Sequence, residues 1–282
     1  MRIAVVADSH LAPGAHAFDR NWDAVRAFVS GQRVDLTVHL GDITVDGLSD
    51  PAHFRHALTM CADWPTPIRY LPGNHDIGDN PPGPGIAAKH PLRRERLEAF
   101  RAAFGPDYWS LDADGWRLIG LDAQLIGTGT IEEAVQWAWL AATVVAAGAA
   151  PIVLFLHKPL FQDSPQDSTP HHRYLPAAER RRLLDLTADA SLRAAISGHT
   201  HQYRDRTVDG LRHVWVPSTA FYLPDGIQDR IGEKVTGVGV LELEPGRLRF
   251  HRVCPEGVAR NSGLDHPVYP ELVEARRRVG VR

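Results

Sequence analysis

The chain has 282 residues, 44 % of them hydrophobic, and a formal net charge of -3. That is enough apolar material for one large α/β core or two small ones, and too little positive charge for a protein that holds a long polyanion mainly by its charge. The only cysteines, Cys61 and Cys254, offer neither a disulfide framework nor a thiolate metal site and read as reduced packing thiols. No apolar run approaches the roughly 20 residues of a membrane span, and the N-terminus enters a strand without a signal-peptide pattern. The expectation is a cytoplasmic enzyme or binding protein with no membrane and no obligate nucleic-acid partner. The 15 histidines are the unusual figure, because histidine is the commonest metal ligand and titrates nearest neutrality.

In chain order, residues 2–7 form a β-branched run that predicts a buried strand ending in Asp8-Ser9-His10. Residues i and i+2 of an extended segment point the same way, so Asp8 and His10 can face one ion together, although a D-x-H triplet alone is a weak signal. Residues 18–29 carry Phe18, Trp22, Val25, Phe28 and Val29 at near-helical spacing, with Gly31 as a stop. Residues 34–40 predict a second strand ending in Gly41-Asp42, at the sheet edge where open α/β folds bind ligands. His39 falls one step out of phase with that tip and is assigned to the core. After a helix over 50–62, a third strand at 68–71 feeds Gly73-Asn74-His75-Asp76. Gly73 lets the chain turn without a side-chain clash, which leaves Asn74 Oδ1 as a neutral ligand with His75 beside it. An Asx-type turn with a solvent-facing histidine is the bland alternative.

Residues 79–91 are rich in Pro and Gly and predict a surface loop that either covers the site or merely connects. A basic amphipathic helix over 92–104 and a hairpin, 108–111 with 116–121, follow. Asp122 ends the hairpin as a turn residue or acceptor rather than a ligand. The longest helical pattern, 132–147, places Val135, Trp139, Leu140, Thr143 and Val144 on one side. A fourth strand at 152–156 ends in His157-Lys158-Pro159. A helix over 175–189 precedes a fifth strand, 192–197, ending in Gly198-His199-Thr200-His201. From Arg204 the pattern changes to short alternating strands, 207–208, 211–216, 238–243 and 248–253, which predict a second, antiparallel sheet. Residues 1–260 read as one domain and 261–282 as a C-terminal tail whose basic run Arg276-Arg277-Arg278 is a solvated face.

Five strand ends thus deliver Asp8, His10, Asp42, Asn74, His157, His199 and His201, more N/O ligands than one ion needs. The ordered set DSH, GD, GNHD, H and GHTH resembles the calcineurin-like metallophosphoesterase family, over residues 2–201. The resemblance implies a four-layer α/β/β/α sandwich of two mixed sheets, the metallo-dependent phosphatase fold, with the site at the carboxyl ends of the strands. It implies two ions bridged by Asp42, one held by Asp8, His10, Asp42 and His201 and the other by Asp42, Asn74, His157 and His199. The ions would be Mn, Fe, Zn, Co or Ni, which this ligand set does not separate.

The chemistry implied is in-line attack on phosphorus by a metal-bridging hydroxide, with His75 free to stabilise or protonate the leaving group and Asp76 to orient the His75 ring. The opening DSHL, Gly127 with Trp139-Leu140, and Val216-Pro217-Ser218-Thr219 resemble the cyclic-nucleotide phosphodiesterase branch. Residues 73–78, 104–108 and 157–161 resemble the purple-acid-like and Ser/Thr-phosphatase-like branch. Lys158 stands where phosphodiesterases often have a second histidine, and no motif offers the tyrosine ligand of a purple-type iron site. The expected substrates are small phosphodiesters such as cyclic nucleotides, with phosphomonoesters, a non-catalytic scaffold and a nuclease as alternatives. Substrate contacts are assigned to His16, to the 79–91 loop and to residues 171–174, with His172 and Arg173 foremost, since a guanidinium binds phosphate oxygens bidentately.

Overall fold

The apolar strands assemble into two sheets in the computed structural model, which describes the backbone of residues 1–279 and the side chains as far as Glu274; the basic run Arg276–Arg278 lies outside the described side chains. The chain begins with β1 (Arg2–Val6), α1 (His16–Gly31), β2 (Leu36–His39), α2 (Pro51–Cys61) and β3 (Ile68–Tyr70), and the three strands run parallel. A one-turn helix α3 (Asn74–Ile77) and α4 (Arg94–Phe104) follow. The hairpin β4 (Trp109–Ala113) and β5 (Trp116–Leu121) then leads through α5 (Ile131–Ala147), β6 (Ile152–Leu156), α6 (Ala177–Leu186) and β7 (Leu192–Ser197), with β5, β6 and β7 parallel. Two further hairpins, β8 (Arg204–Val208) with β9 (Leu211–Trp215) and β10 (Val238–Glu244) with β11 (Arg247–Val253), precede α7 (Pro270–Val279).

The C-terminal strands correct the expectation of a separate antiparallel sheet. The β10–β11 hairpin adds antiparallel to β1, giving the order β11-β10-β1-β2-β3, whereas β9 pairs parallel with β7, giving β4-β5-β6-β7-β9-β8. An isolated hairpin is marginal in water, and each one docks where its apolar face is needed. Val214 from one and Leu241, Leu243 and Phe250 from the other enter the core between the sheets. Alternation specifies which residues of a strand face inward, but not which edge the strand joins.

The two sheets pack face to face through Ile3, Val5, Val38 and Leu40 on one side and Leu118, Val153, Phe155 and Ile196 on the other. On the outer faces, Ala4 and Val6 meet Trp22, Val25 and Val29 of α1, and Ile119, Leu154 and Leu156 meet Trp137, Leu140 and Val144 of α5. The layers are therefore α/β/β/α, as expected. Burial of each such aliphatic side chain contributes about 1.5–3 kcal/mol. α5 is rotated relative to the sequence expectation: its buried face is Glu133, Gln136, Trp137, Leu140, Thr143, Val144 and Ala147, and Val135 is exposed. The Thr130 hydroxyl caps α5 by accepting from Glu133 N, and the Glu133 carboxylate accepts from Gly127 N, Gly129 N and the Trp137 indole. Glu133 and Gln136 are thus buried with the apolar Trp137, Leu140, Val144 and Ala147, and Val135 is left outside.

Candidate metal centre

The carboxyl ends of β1, β2, β6 and β7, with the turn after β3, bring the seven sequence-derived residues into one place. Asp8, His10, Asp42 and His201 each offer a ligand atom within 4.8 Å of the others, and so do Asp42, His157 and His199. Asp42 belongs to both groups. Asn74 joins the second, its Oδ1 3.2 Å from His157 Nε2. In the first group His10 Nε2 and His201 Nε2 are 3.1 Å apart, and His201 Nε2 is 3.4 Å from Asp8 Oδ1. In the second, His157 Nε2 lies 3.0 Å from His199 Nδ1 and 3.3 Å from Asp42 Oδ2.

Backbone conformation marks the same residues. Among the described residues, non-glycine positions with left-handed φ are Asp8 (54°), His10 (46°), Asp42 (50°), Asp114 (49°), His199 (67°), His201 (53°) and Asp209 (49°). Asp114 and Asp209 sit in hairpin turns, and the remainder are the candidate ligands. Such conformations cost about 1–3 kcal/mol each and persist where the surroundings over-determine them, typically at functional sites. Asp8 and His10 consequently meet through a tight left-handed turn, not through the extended i, i+2 relation expected from the sequence.

Neighbouring turns hold these conformations in place. Asp8 N donates to Gly41 O at 3.0 Å, His10 N to Asp42 O at 3.1 Å, and Gly198 N to His157 O at 3.0 Å. Ser218 Oγ donates to Asp8 O at 2.7 Å and accepts from Ala220 N and Phe221 N, which gives the Val216–Thr219 segment a latching role. Two glycines allow the close packing. A Cβ on Gly73 would stand 2.2 Å from Asp42 N and Oδ1, and one on Gly198 would stand 2.7 Å from Asp8 Oδ2. Gly73 has an extended backbone, φ -111°, so its value is the absence of a side chain rather than the turn conformation expected of it.

Proton accounting shows that the cluster suits cations. His157 Nδ1 donates to Leu40 O at 2.9 Å, and His201 Nδ1 to Phe221 O at 2.9 Å, so in their neutral forms both rings present a bare Nε2 inward. The His157 Nε2 lone pair then faces the Asn74 amide oxygen and the Asp42 carboxylate, an arrangement that only a proton or a cation reconciles. Burial by itself would lower the His157 pKa, but the Asp42 charge and hydrogen bond raise it to about 9. For Asp42, burial works upward and is overcome by the charges of His157 and His75, which hold the carboxyl well below its usual range. Burial, reinforced by neighbouring histidines, pushes His10 and His199 well below theirs. His199 Nε2 is buried without a partner. Backbone carbonyls behind two rings, and lone pairs converging in front, are what metal-ligating imidazoles require.

His75 is placed beside the clusters, half-buried, and belongs to neither. Its N–H donates to Asp42 Oδ1 at 2.9 Å and its Nδ1 to Val45 O at 2.7 Å, so Nε2 is the nitrogen available to the cavity. The expectation that Asp76 orients this ring is corrected. Fully buried, the Asp76 carboxylate accepts from Ile43 N, Thr44 N, Thr44 Oγ1 and Gly73 N, and it ties the tips of β2 and β3 together. Burial and the Asp42 charge raise its pKa to about 6.

A cavity of about 220 Å³ opens over the clusters, lined among others by His10, Asp42, Asn74, His75, His172, Arg173 and Tyr269. An adjoining one of about 720 Å³ shares Asn74, His75, Tyr269 and Glu271 and adds Asp79, Lys89 and His90. His172, Arg173 and the 79–91 loop therefore reach the site, whereas His16 is exposed, pairs with Asp19 at 3.9 Å and lines neither cavity. His39 is buried against Ser9 Oγ at 2.9 Å, as its phase in the strand predicts. Asp122 Oδ1 accepts from Gln124 N and Leu125 N in a turn.

Several neighbours of the clusters take contacts that the sequence does not show. Lys158 is buried on Asp79 and on Asn80 Oδ1 at 2.6 Å. The Gln124 amide, oriented by its network, accepts from Asn74 N at 2.9 Å and donates to Asp79 Oδ1 at 3.2 Å, linking Lys158 to the Asn74 turn. Tyr269 comes from the C-terminal segment. Lys158 is marked in the sequence by its place directly after His157, though its burial on Asp79 and Asn80 is not; Gln124 and Tyr269 lie in stretches with no motif.

Residues 1–203 match the family described as calcineurin-like phosphoesterase. The chain belongs to this family. Among curated calcineurin-like relatives, it is 26% identical over 194 residues to the serine/threonine-protein phosphatase CPPED1 of Danio rerio, covering 66% of this chain and 56% of that protein. It is also 26% identical over 240 residues to the 3',5'-cyclic adenosine monophosphate phosphodiesterase CpdA of Escherichia coli K12, covering 78% of this chain and 76% of that one. The chain thus spans little more than half the length of CPPED1. In fold it is similar to a dimetal phosphatase from Danio rerio, with a TM-score of 0.65 and 15% identity over 89% of this chain and 95% of the other. Among the described residues no helix is long and apolar enough to cross a membrane.

Proposed function

We propose that the protein is a dinuclear metal-dependent phosphoester hydrolase acting on small phosphodiesters, cyclic nucleotides among them. The observation that carries the reading is the pair of ligand clusters sharing Asp42, with Asp8, His10, Asp42, His199 and His201 held in left-handed conformations that the fold would otherwise have no reason to retain. Asp8, His10, Asp42 and His201 would hold one ion, and Asp42, Asn74, His157 and His199 the other. Ions so bound would activate water as the nucleophile and draw charge from the phosphoryl oxygens. The protein's own part is to place the groups around that centre. His75, fixed by Val45 O, presents Nε2 to the leaving oxygen; in its imidazolium form, with Nδ1–H kept on Val45 O, it gives the Nε2 proton to that oxygen and is left neutral, a donation worth about 10²–10⁴-fold. Arg173 and His172 line the same cavity and would bind non-bridging phosphate oxygens.

The likeness to CpdA over 76% of that protein's length supports the diester reading. Phosphomonoesters form the second reading, favoured by the likeness to CPPED1 and by Lys158, whose ammonium is engaged with Asp79 and Asn80. A non-catalytic scaffold is disfavoured by the convergence of the entire ligand set.

The test is a turnover panel with protein loaded separately with Mn, Fe, Zn, Co and Ni, on an aryl monoester, an aryl diester and a 3',5'-cyclic nucleotide. The expected result is a kcat/KM for diester and cyclic nucleotide at least about tenfold above that for the monoester. The reverse order establishes the monoesterase, and a protein that takes up no ions and turns over nothing is the scaffold.

A further inference from the structure

The C-terminal segment, which follows the last family-matched residue by more than fifty positions, puts a tyrosine against the metal cluster. Tyr269 immediately precedes α7, is 4% exposed, and places its hydroxyl 2.6 Å from His10 Nδ1. Its ring meets His10 and His75 edge-on, with centroids 5.7 and 5.8 Å away, and leans on Phe221 at 5.4 Å. The contact is to the far edge of the imidazole, because Nε2 is the nitrogen that faces His201 in the cluster. The phenol therefore acts on the cluster through His10.

Its chemistry differs from that behind the other rings. His157 and His201 each rest Nδ1 on a backbone carbonyl, an acceptor that permits a single neutral tautomer. A hydroxyl both donates and accepts. Without an ion, Tyr269 can donate to His10 Nδ1 while His10 Nε2–H donates to the bare Nε2 of His201, 3.1 Å away. With an ion in front, the proton must reside on Nδ1, and the same hydroxyl accepts it. In both protonation patterns His10 Nδ1 thus keeps its hydrogen bond to Tyr269, which a carbonyl behind His10 would not allow.

We propose that Tyr269 is a positioning residue for the cluster of Asp8, His10, Asp42 and His201, holding His10 in the ligating orientation and accommodating its change of tautomer when an ion binds. The proposal rests on the dinuclear reading above and deepens it by assigning a function to a segment beyond the family-matched residues. Groups hydrogen-bonded behind a ligand typically govern about 10–100-fold in metal affinity.

The experiment is a Zn²⁺ titration of the metal-free full chain and of Tyr269→Phe against a chromophoric chelator, together with ¹⁵N imidazole shifts of His10 in the wild type. Tyr269→Phe keeps the ring and its packing. The expected result is an affinity lowered about 10–100-fold for one of the two ions, with the other unchanged and the melting temperature of the metal-free protein preserved. In the wild type, the His10 proton should move from Nε2 to Nδ1 on loading. Equal weakening of both ions, no weakening, or a His10 proton that stays on one nitrogen throughout would each overturn the proposal. The NMR measurement needs no variant, so it decides even if Tyr269→Phe folds poorly. Wild-type protein that binds no Zn²⁺ would instead sink the dinuclear reading itself.

Discussion

The site has two unlike halves. One consists of the strand tips within residues 1–203, where short polar motifs carry the candidate ligands, five of them in left-handed conformations, braced by backbone hydrogen bonds and by glycines whose missing side chains let the turns approach. The other is the wall formed by Arg173 and His172 from a loop together with Phe221, Tyr269 and Leu272 from segments past residue 203. On the dinuclear reading the first half is constrained by coordination chemistry, which tolerates few residue types at each position. The second supplies shape and support, which many sequences can provide, and it is there that relatives sharing one reaction can differ in substrate.

Breaking the first half should have the largest effect. Asp42→Asn removes the carboxylate that both clusters share, so bound metal measured by mass spectrometry should fall below one ion per chain and turnover should drop by on the order of 10²–10³-fold or more. Retention of two ions with near-normal turnover would show that Asp42 does not join the clusters. His75→Ala is the next largest. It should leave both ions in place and cost about 10²–10⁴-fold in kcat on esters with poor leaving groups, with a much smaller loss on nitrophenyl esters, whose leaving oxygen needs no proton. An equal loss on both substrate classes would argue against protonation of the leaving group. The smallest effect belongs to the second half. Arg173→Ala should raise KM by roughly tenfold, about 1.4 kcal/mol, with metal content unchanged. A fall in kcat at constant KM would move Arg173 from binding to transition-state stabilisation.

The order of the candidate ligands and the five strands that end in them were legible from the chain alone, and the α/β/β/α layers followed from the family resemblance that this order carries. A strand tip that exchanges an apolar run for Asp, Asn or His leaves a local signature, and so does a helix with apolar residues three and four apart. Three particular readings needed the folded molecule. Asp76 looked like an orienting group for its neighbour His75, yet its four donors come mostly from Ile43 and Thr44, some thirty residues earlier. Val135 looked like a core residue of α5 beside Leu140 and Val144, but Glu133 and Gln136 take the buried contacts near it and Val135 is left exposed. The strands past Arg204 carried correct inward alternation, and only the unfilled edges at β1 and β7 determined where each hairpin went.

The sequence by itself determined which side chains are available to hold ions, because coordination demands specific donor atoms and those appear as letters at strand ends. Tertiary structure alone decided how they meet. Left-handed turns at Asp8, His10, Asp42, His199 and His201 are strained when isolated, and they are held by contacts between segments far apart in the chain, such as Ser218 Oγ on Asp8 O across 210 positions. The same holds for Tyr269, whose hydroxyl finds His10 across 259 positions of chain. No local pattern encodes such a contact, since it results from packing the C-terminal segment against a surface that exists only once both sheets are in place.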